Sequence, residues 1–119
     1  MKNTLVFGTS LKRNRYSNKA VLALANNGIP VEGFGIVPGT VGKVQVKANL
    51  EHFQNIHTLT LYLGPERQKQ YYMEIIGLQP KRVIFNPGTE NPEFYELLKA
   101  AGIEVEVACT LVLLATGQY

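Results

Sequence analysis

A short loop combining glycine, hydroxyl and basic residues follows the first apolar segment and leads into a segment with helical periodicity. Its members are Gly8, Thr9, Ser10, Lys12, Arg13 and Arg15. A glycine lets backbone approach a ligand closely, hydroxyls donate to phosphate oxygens, and a helix N-terminus offers free N–H groups. The loop therefore predicts a site for an anion with more than one phosphate. The alternative is that Gly8 makes a tight turn and the cations are solvated.

Loops after three later apolar segments add further candidate binding residues. In an open parallel sheet, ligands bind outside the carboxyl ends of the strands. The candidates chosen by this rule are Pro38, Gly64, Asn86, Pro87 and Gly88. Together with the first loop, they are the predicted cofactor-binding residues.

The glycine pattern disfavours NAD as the ligand. A complete dinucleotide fingerprint needs glycines where this chain has Ser10 and Arg13. The second apolar segment ends in Phe34–Val37, without the acidic residue that would bind an adenosine ribose.

Catalytic chemistry has only weak candidates, and we predict no catalytic residue and no metal ligand. Cys109 is the one possible nucleophile, and its base would be His52 or His57. A single cysteine near a strand end is more often a buried packing residue, and these histidines form no zinc pattern. Glu90 offers acid or base chemistry, but its commoner role is favourable charge near a helix start.

Apolar and helical periodicities alternate along the chain and define the elements that position these residues. Five strands are predicted, over 4–7, 31–37, 58–63, 82–85 and 104–107. Four helices are predicted: 17–27 with Ser17 as its cap, 65–76 ending at Gly77, 91–102 with Asn91 as its cap, and 110–116. The segment 38–53 is the weakest part of the assignment, with a hairpin strand at 41–46 and a helical turn at 48–53.

This alternation predicts an α/β fold that is Rossmann-like and doubly wound. We expect a mainly parallel five-stranded sheet of order 3-2-1-4-5 with helices on both faces. The ligand crevice then lies between the first and fourth strands.

Composition predicts a single domain over 1–119 that forms its own core. The chain has 45% hydrophobic and 18% charged residues, with a net charge of +3. One cysteine excludes an intramolecular disulfide, and no apolar run reaches the length of a membrane span. We expect a cytoplasmic protein without a membrane partner. The apolar stretch 111–119 favours a homodimer slightly.

These motifs together resemble the CoA-binding domain family, the small relatives of the CoA-binding domain of succinyl-CoA and acyl-CoA synthetases. The resemblance runs through nearly all of the chain. It is carried by Val6–Ser10, Tyr16-Ser17, Gly35–Pro38, 58–63 with Pro65, Asn86–Thr89 and Ala108–Thr110.

The resemblance implies that coenzyme A or an acyl-CoA is the cofactor. The first loop would hold the nucleotide phosphates, and later loops would line the adenosine and pantetheine path. Residues carried over on this basis are Gly8, Ser10, Arg13, Pro38, Gly64 and Gly88. The chain departs from the family in its more basic first loop and its looser segment 38–53, so contacts from Lys12 and Arg15 rest on the residues alone.

Three functions follow as hypotheses. The first is a non-catalytic module that binds CoA or an acyl-CoA. The second is an enzyme acting on a CoA thioester or a related nucleotide, with Cys109 as nucleophile. The third is a nucleic-acid-binding protein, which is disfavoured because cations outside the first loop are scattered and no stripe of basic and aromatic residues appears.

Overall fold

A computed structural model describes residues 2–119 as a twisted sheet with helices on both faces. The strands are β1 (Thr4–Phe7), β2 (Val31–Phe34), β3 (Gly39–Val41), β4 (Val44–Lys47), β5 (Thr58–Leu61), β6 (Arg82–Phe85) and β7 (Glu104–Val107). The helices are α1 (Tyr16–Asn26), α2 (Pro65–Gln68), α3 (Tyr72–Gly77), α4 (Pro92–Ala100) and α5 (Thr110–Ala115), with a 3₁₀ turn, Lys69–Tyr71, between α2 and α3. The α/β class is confirmed.

The sheet has seven strands in the order β3-β4-β2-β1-β5-β6-β7. All neighbours are parallel except β3 and β4, which form a hairpin. The predicted five-stranded sheet of order 3-2-1-4-5 is therefore wrong. The segment 58–61 pairs with β1 directly, and the hairpin occupies the edge beyond β2.

The corrected order moves the predicted crevice. The chain leaves β1 through α1 toward β2, whereas it leaves β5 through α2 and α3 toward β6 on the other side. The connections that leave β1 and β5 therefore run to opposite sides of the sheet. A ligand is expected between these two strands, at their carboxyl ends.

Two apolar layers cover the sheet. Leu5 and Phe7 of β1 face a layer that includes Phe94 and Leu98 of α4. Val6, which points to the opposite face, packs with Val21 and Leu24 of α1. Because successive strand residues alternate between faces, a strand covered on both sides must be apolar throughout.

Two of the helices differ from their predictions. The N-cap of α1 is Arg15, which makes no side-chain capping bond, and Ser17 lies inside the helix. The single helix predicted over 65–76 is broken by the 3₁₀ turn, whereas its predicted end at Gly77 is confirmed, since α3 ends there. The prediction for α4 holds, since the Asn91 side chain accepts the Phe94 N–H at 3.2 Å.

None of the helices within residues 2–119 has both the length and the apolarity for crossing a bilayer.

Candidate functional site

An open cleft of about 1000 Å³ lies at the carboxyl ends of β1, β2, β5 and β6. One wall is the loop from β1 to α1, and the facing wall includes residues that follow β5. The loop after β2 contributes Ile36 and Val37, and the loops after β6 and β7 contribute Asn86 and Cys109. The cleft therefore occupies the position that the corrected strand order predicts for a ligand.

The floor of the cleft is a close contact between the ends of β1 and β2. The N–H groups of Gly8 and Thr9 both donate to the Phe34 carbonyl oxygen, at 2.8 and 2.7 Å. Gly8 has φ +98°, and a Cβ placed on Gly35 would overlap the Thr9 carbonyl oxygen. Glycine is thus required on both strands for the backbones to meet.

The Thr9 hydroxyl takes part in this floor. It donates to the Val6 carbonyl oxygen at 2.7 Å, and Thr9 is buried. Its hydrogen is therefore committed to the turn, and the phosphate-donor role predicted for this hydroxyl would require that bond to break.

Ser10 anchors the next part of the loop to α1. Its N–H donates to the Ser17 hydroxyl oxygen at 3.0 Å, and its carbonyl oxygen accepts the Asn18 side-chain amide at 2.9 Å. The Ser10 hydroxyl oxygen accepts the Lys12 N–H at 3.1 Å. These bonds hold the loop against the first turn of α1, whose N-terminus has no side-chain cap.

All of the charged side chains in the cleft lining are basic. Lys12 and Arg15 come from the loop after β1, and Arg67 comes from α2 on the facing side. No carboxylate is among the lining residues, all of which belong to the described chain. An uncapped helix N-terminus with three cations nearby favours a polyanionic ligand.

Asn86 lies at the back of the cleft and is almost fully buried. Its side-chain amide donates to the Thr60 hydroxyl at 2.7 Å and to the Leu61 carbonyl oxygen at 2.8 Å. Its oxygen accepts the Thr110 N–H at 2.9 Å. Asn86 therefore joins the ends of β5 and β6 to the start of α5, and fixes that wall.

Tyr62 and Cys109 also line the cleft. Burial raises the pKa of Tyr62 to about 12, while the hydroxyls of Thr110 and Thr60 oppose this rise. The phenol is therefore protonated at neutral pH. Its oxygen lies near these two hydroxyls, but none of the described residues meets the distance and angle of a hydrogen bond to it.

Seven of the predicted binding residues meet in the cleft: Gly8, Thr9, Ser10, Lys12, Arg15, Asn86 and Pro87. The other four, Arg13, Pro38, Gly64 and Gly88, lie outside its lining. Gly88 instead donates its N–H to the Glu90 carboxylate at 2.8 Å, in the turn before α4.

The two histidines proposed as bases are not in the cleft lining. His57 precedes β5 and therefore lies at the opposite end of the sheet from Cys109, which follows β7. His52 lies in the exposed connection between β4 and β5. Neither histidine provides the base for Cys109 that the enzyme hypothesis requires. Residues 2–119 also contain no group of three metal-ligating side chains placed to hold an ion.

Sequence reasoning missed Tyr62, Arg67, Gln70 and Tyr71, which all line the cleft. Tyr62 directly follows β5, so the rule that ligands bind at carboxyl ends of strands identifies it once β5 is placed beside β1. Arg67 lies further along the chain, in α2, and carries no motif of its own.

The fold and the cleft define a small doubly wound α/β protein with an open cleft at the β1/β5 switch point. The chain belongs to the CoA binding domain family, whose sequence profile matches residues 2–115. The resemblance recognised in the sequence is thereby confirmed.

Solved structures agree with this assignment. The crystal structure of an uncharacterised protein is 39% identical, with a TM-score of 0.96, and the match covers 100% of this chain and 98% of that chain. A hypothetical protein from Pyrococcus horikoshii OT3 is 24% identical, with a TM-score of 0.84 and coverage of 93% and 80%. A Thermus thermophilus protein is 22% identical, with a TM-score of 0.86 and coverage of 99% and 91%. The last two support the fold alone. No curated protein sequence matches this chain significantly.

Proposed function

We propose that this protein binds coenzyme A or an acyl-CoA in the cleft, as a module without catalytic activity of its own. Family membership supports this ligand class. The observation that carries the proposal is the placement of Lys12, Arg15 and Arg67 around one cleft with the uncapped N-terminus of α1. Coenzyme A has a diphosphate and a separate 3′-phosphate, so it offers anionic groups to cations on two walls.

The size and polarity of the cleft fit such a ligand. Its volume of about 1000 Å³ is at the upper end of the usual range for ligand clefts. Apolar side chains from Ile36, Val37 and Leu63 alternate with the polar groups of the lining. In the proposed complex, the loop after β1 binds phosphate, and the loops after β2 and β5 contact the adenosine and pantetheine parts.

Thermal unfolding with coenzyme A, dephospho-CoA, NAD and ATP tests the proposal. A ligand present at 100 times its Kd stabilises the folded state by about 2.7 kcal/mol, so a real ligand gives a clear rise in Tm. We expect the largest rise with coenzyme A and a smaller one with dephospho-CoA. No rise with coenzyme A at millimolar concentration would refute the proposal.

Arginine variants test the placement of the phosphates. Arg15→Ala and Arg67→Ala each remove one cation of the cleft lining, and each should weaken coenzyme A binding by about tenfold, or 1.4 kcal/mol. Arg13→Ala is the matched comparison, since Arg13 is also exposed but lies outside the lining. A larger loss of coenzyme A affinity in Arg13→Ala than in Arg15→Ala would favour phosphate binding by Arg13, as the family resemblance implies, over phosphate binding by the cations of the cleft lining.

A second candidate function is an enzyme that acts on a CoA thioester, because Cys109 lines the same cleft. This version predicts turnover of acetyl-CoA that is lost in Cys109→Ala. Unchanged turnover in that variant, or none in the wild type, would eliminate it.

A further inference from the structure

The Tyr62 hydroxyl is unusual among the polar groups of this protein. Within residues 2–119, it is the one buried side-chain nitrogen or oxygen atom without a hydrogen-bond partner. A buried donor left unpaired destabilises the folded state, so a native protein rarely retains one without a reason. Tyr62 belongs to the cleft lining, but its hydroxyl oxygen is covered by protein, so a ligand atom reaches that oxygen only with a small opening of this wall.

The nearest polar groups are already bonded to one another. The Thr60 and Thr110 hydroxyls lie 2.7 Å apart, and Thr60 also accepts the Asn86 amide. Both threonines are completely buried behind the cleft. Thr60 and Thr110 are bonded within this network, and neither hydroxyl meets the distance and angle of a hydrogen bond to the Tyr62 oxygen.

The surroundings of Tyr62 select a neutral acceptor. Besides burial, the groups acting on the pKa of Tyr62 are Thr110, Cys109, Thr60 and Tyr119, and none of them is a cation. A phosphate placed beside the hydroxyl would be a buried, unpaired anion, which is costly. A carbonyl oxygen accepts a hydrogen bond without that cost.

We propose that the Tyr62 hydroxyl donates a hydrogen bond to a carbonyl oxygen on the arm of the bound ligand, beside the Cys109 thiol. This inference rests on the proposed function. Coenzyme A has amide carbonyls in its pantetheine arm, and an acyl-CoA adds a thioester carbonyl. The cations of the cleft hold the phosphates, while the Tyr62 corner, formed by Tyr62 and Cys109, holds the arm.

Tyr62→Phe tests this proposal because it removes the hydroxyl and keeps the ring. Calorimetric titration measures the Kd of adenosine 3′,5′-bisphosphate, coenzyme A and acetyl-CoA for the wild type, Tyr62→Phe and Tyr95→Phe. Tyr95 packs on Phe85 on the other face of the sheet, so it controls for loss of a tyrosine hydroxyl elsewhere. We expect Tyr62→Phe to weaken binding of the arm-bearing ligands by about fivefold to thirtyfold. Adenosine 3′,5′-bisphosphate, which lacks the arm, should bind all three proteins equally.

The pattern across ligands identifies the carbonyl. Equal weakening of coenzyme A and acetyl-CoA assigns a pantetheine amide, whereas weakening of acetyl-CoA alone assigns the thioester. If coenzyme A and acetyl-CoA bind the wild type and Tyr62→Phe equally, the inference is overturned and the proposed function stands. If none of the three ligands binds the wild type, both are overturned.

The Tm of the free protein provides a second readout. Removing an unpaired buried hydroxyl should leave Tm unchanged or raise it, because no protein hydrogen bond is lost. A Tm lowered by several degrees in Tyr62→Phe, with unchanged binding, would mean that the hydroxyl serves the fold and would overturn the inference.

Discussion

Gly35 is the residue at which the fold and the shape of the cleft depend on the same atoms. It lies at the end of β2 and lines the cleft, and a side chain added there would meet the Thr9 carbonyl oxygen. No side chain fits in that space unless the two backbones move apart. Such a movement would disturb the bonds from the Gly8 and Thr9 N–H groups to Phe34.

Gly35→Ala should therefore lower the free energy of unfolding by about 2 kcal/mol or more, through overpacking against backbone that cannot rotate away. Urea denaturation measures this change. Gly64→Ala is the matched control, since Gly64 has φ −65° and its added Cβ would meet nothing within 4 Å. Equal stability of the two variants would contradict the close contact described for Gly35.

Among single residues, the sequence indicates those whose residue type and neighbours together suggest a chemical role. Gly8, Lys12 and Arg15, which line the cleft, were singled out because a glycine followed by cations, directly after an apolar strand, is typical of an anion site. Tyr62 was missed because a tyrosine at the end of an apolar strand has the composition of a core residue. Arg67 was missed because an arginine in the first turn of a helix usually contacts only solvent.

The break between α2 and α3 is set by Gln68. This fully buried side chain donates to the carbonyl oxygens of Leu63 and Thr89, each at 2.8 Å. Its oxygen accepts the Asn91 amide at 2.9 Å. α2 is thus held against the loops after β5 and β6, and the chain tightens into a 3₁₀ turn before α3. The helical periodicity of 65–76 carries no sign of these distant partners.

Asn91 connects this network to α4, since it caps the helix and also donates to Gln68 and to the Tyr72 hydroxyl. Asn91→Ala removes the cap and leaves the Gln68 oxygen unpaired, so it should lower the free energy of unfolding by about 2 kcal/mol. Chemical denaturation beside Asn14→Ala, an exposed loop substitution, provides the comparison. If Asn91→Ala lowers the free energy of unfolding no more than Asn14→Ala does, the cap and the network make no measurable contribution to stability.

Strand positions were predictable, but strand order was not. The bounds of β1, β6 and β7 match their predictions, because apolar strands between polar turns stand out locally. The strand order depends on where β5 joins the sheet, either beside β1 or beyond β2 at the other edge. No helix lies between β2 and β5, so crossover rules based on helices do not decide it, and the hairpin β3-β4 takes the edge instead.

Over the whole molecule, basic side chains lie at both ends of the sheet, with Lys2, Lys81 and Arg82 at the end opposite the cleft. Opposite the cleft, burial lowers the pKa of His57 below its ordinary value of 6.5, and the charges of Arg82, Lys2 and Lys81 act in the same direction. The unfolded chain, which lacks this environment, binds a proton at His57 more readily than the folded protein does. The contribution of His57 to stability is therefore fully present above about pH 6.5 and is lost as the pH falls toward the lower folded pKa.

His57→Gln should consequently flatten the dependence of the unfolding free energy on pH between about 7 and 5.5. Urea denaturation at the two pH values measures the difference. His52→Gln, in the exposed β4–β5 connection, is the matched control substitution. Identical slopes in the wild type and His57→Gln would mean that the surroundings of His57 do not lower its pKa.

The floor of the cleft also affects how fast a ligand can bind. Because the protein's own hydrogen bonds already join Gly8 and Thr9 to Phe34, binding does not have to order this part of the backbone first. Under the proposed function, association with coenzyme A is then governed by encounter, and encounter with a polyanion is accelerated by the cations at the cleft. The rate constant for association should fall steeply as salt is added, whereas that for dissociation should change little.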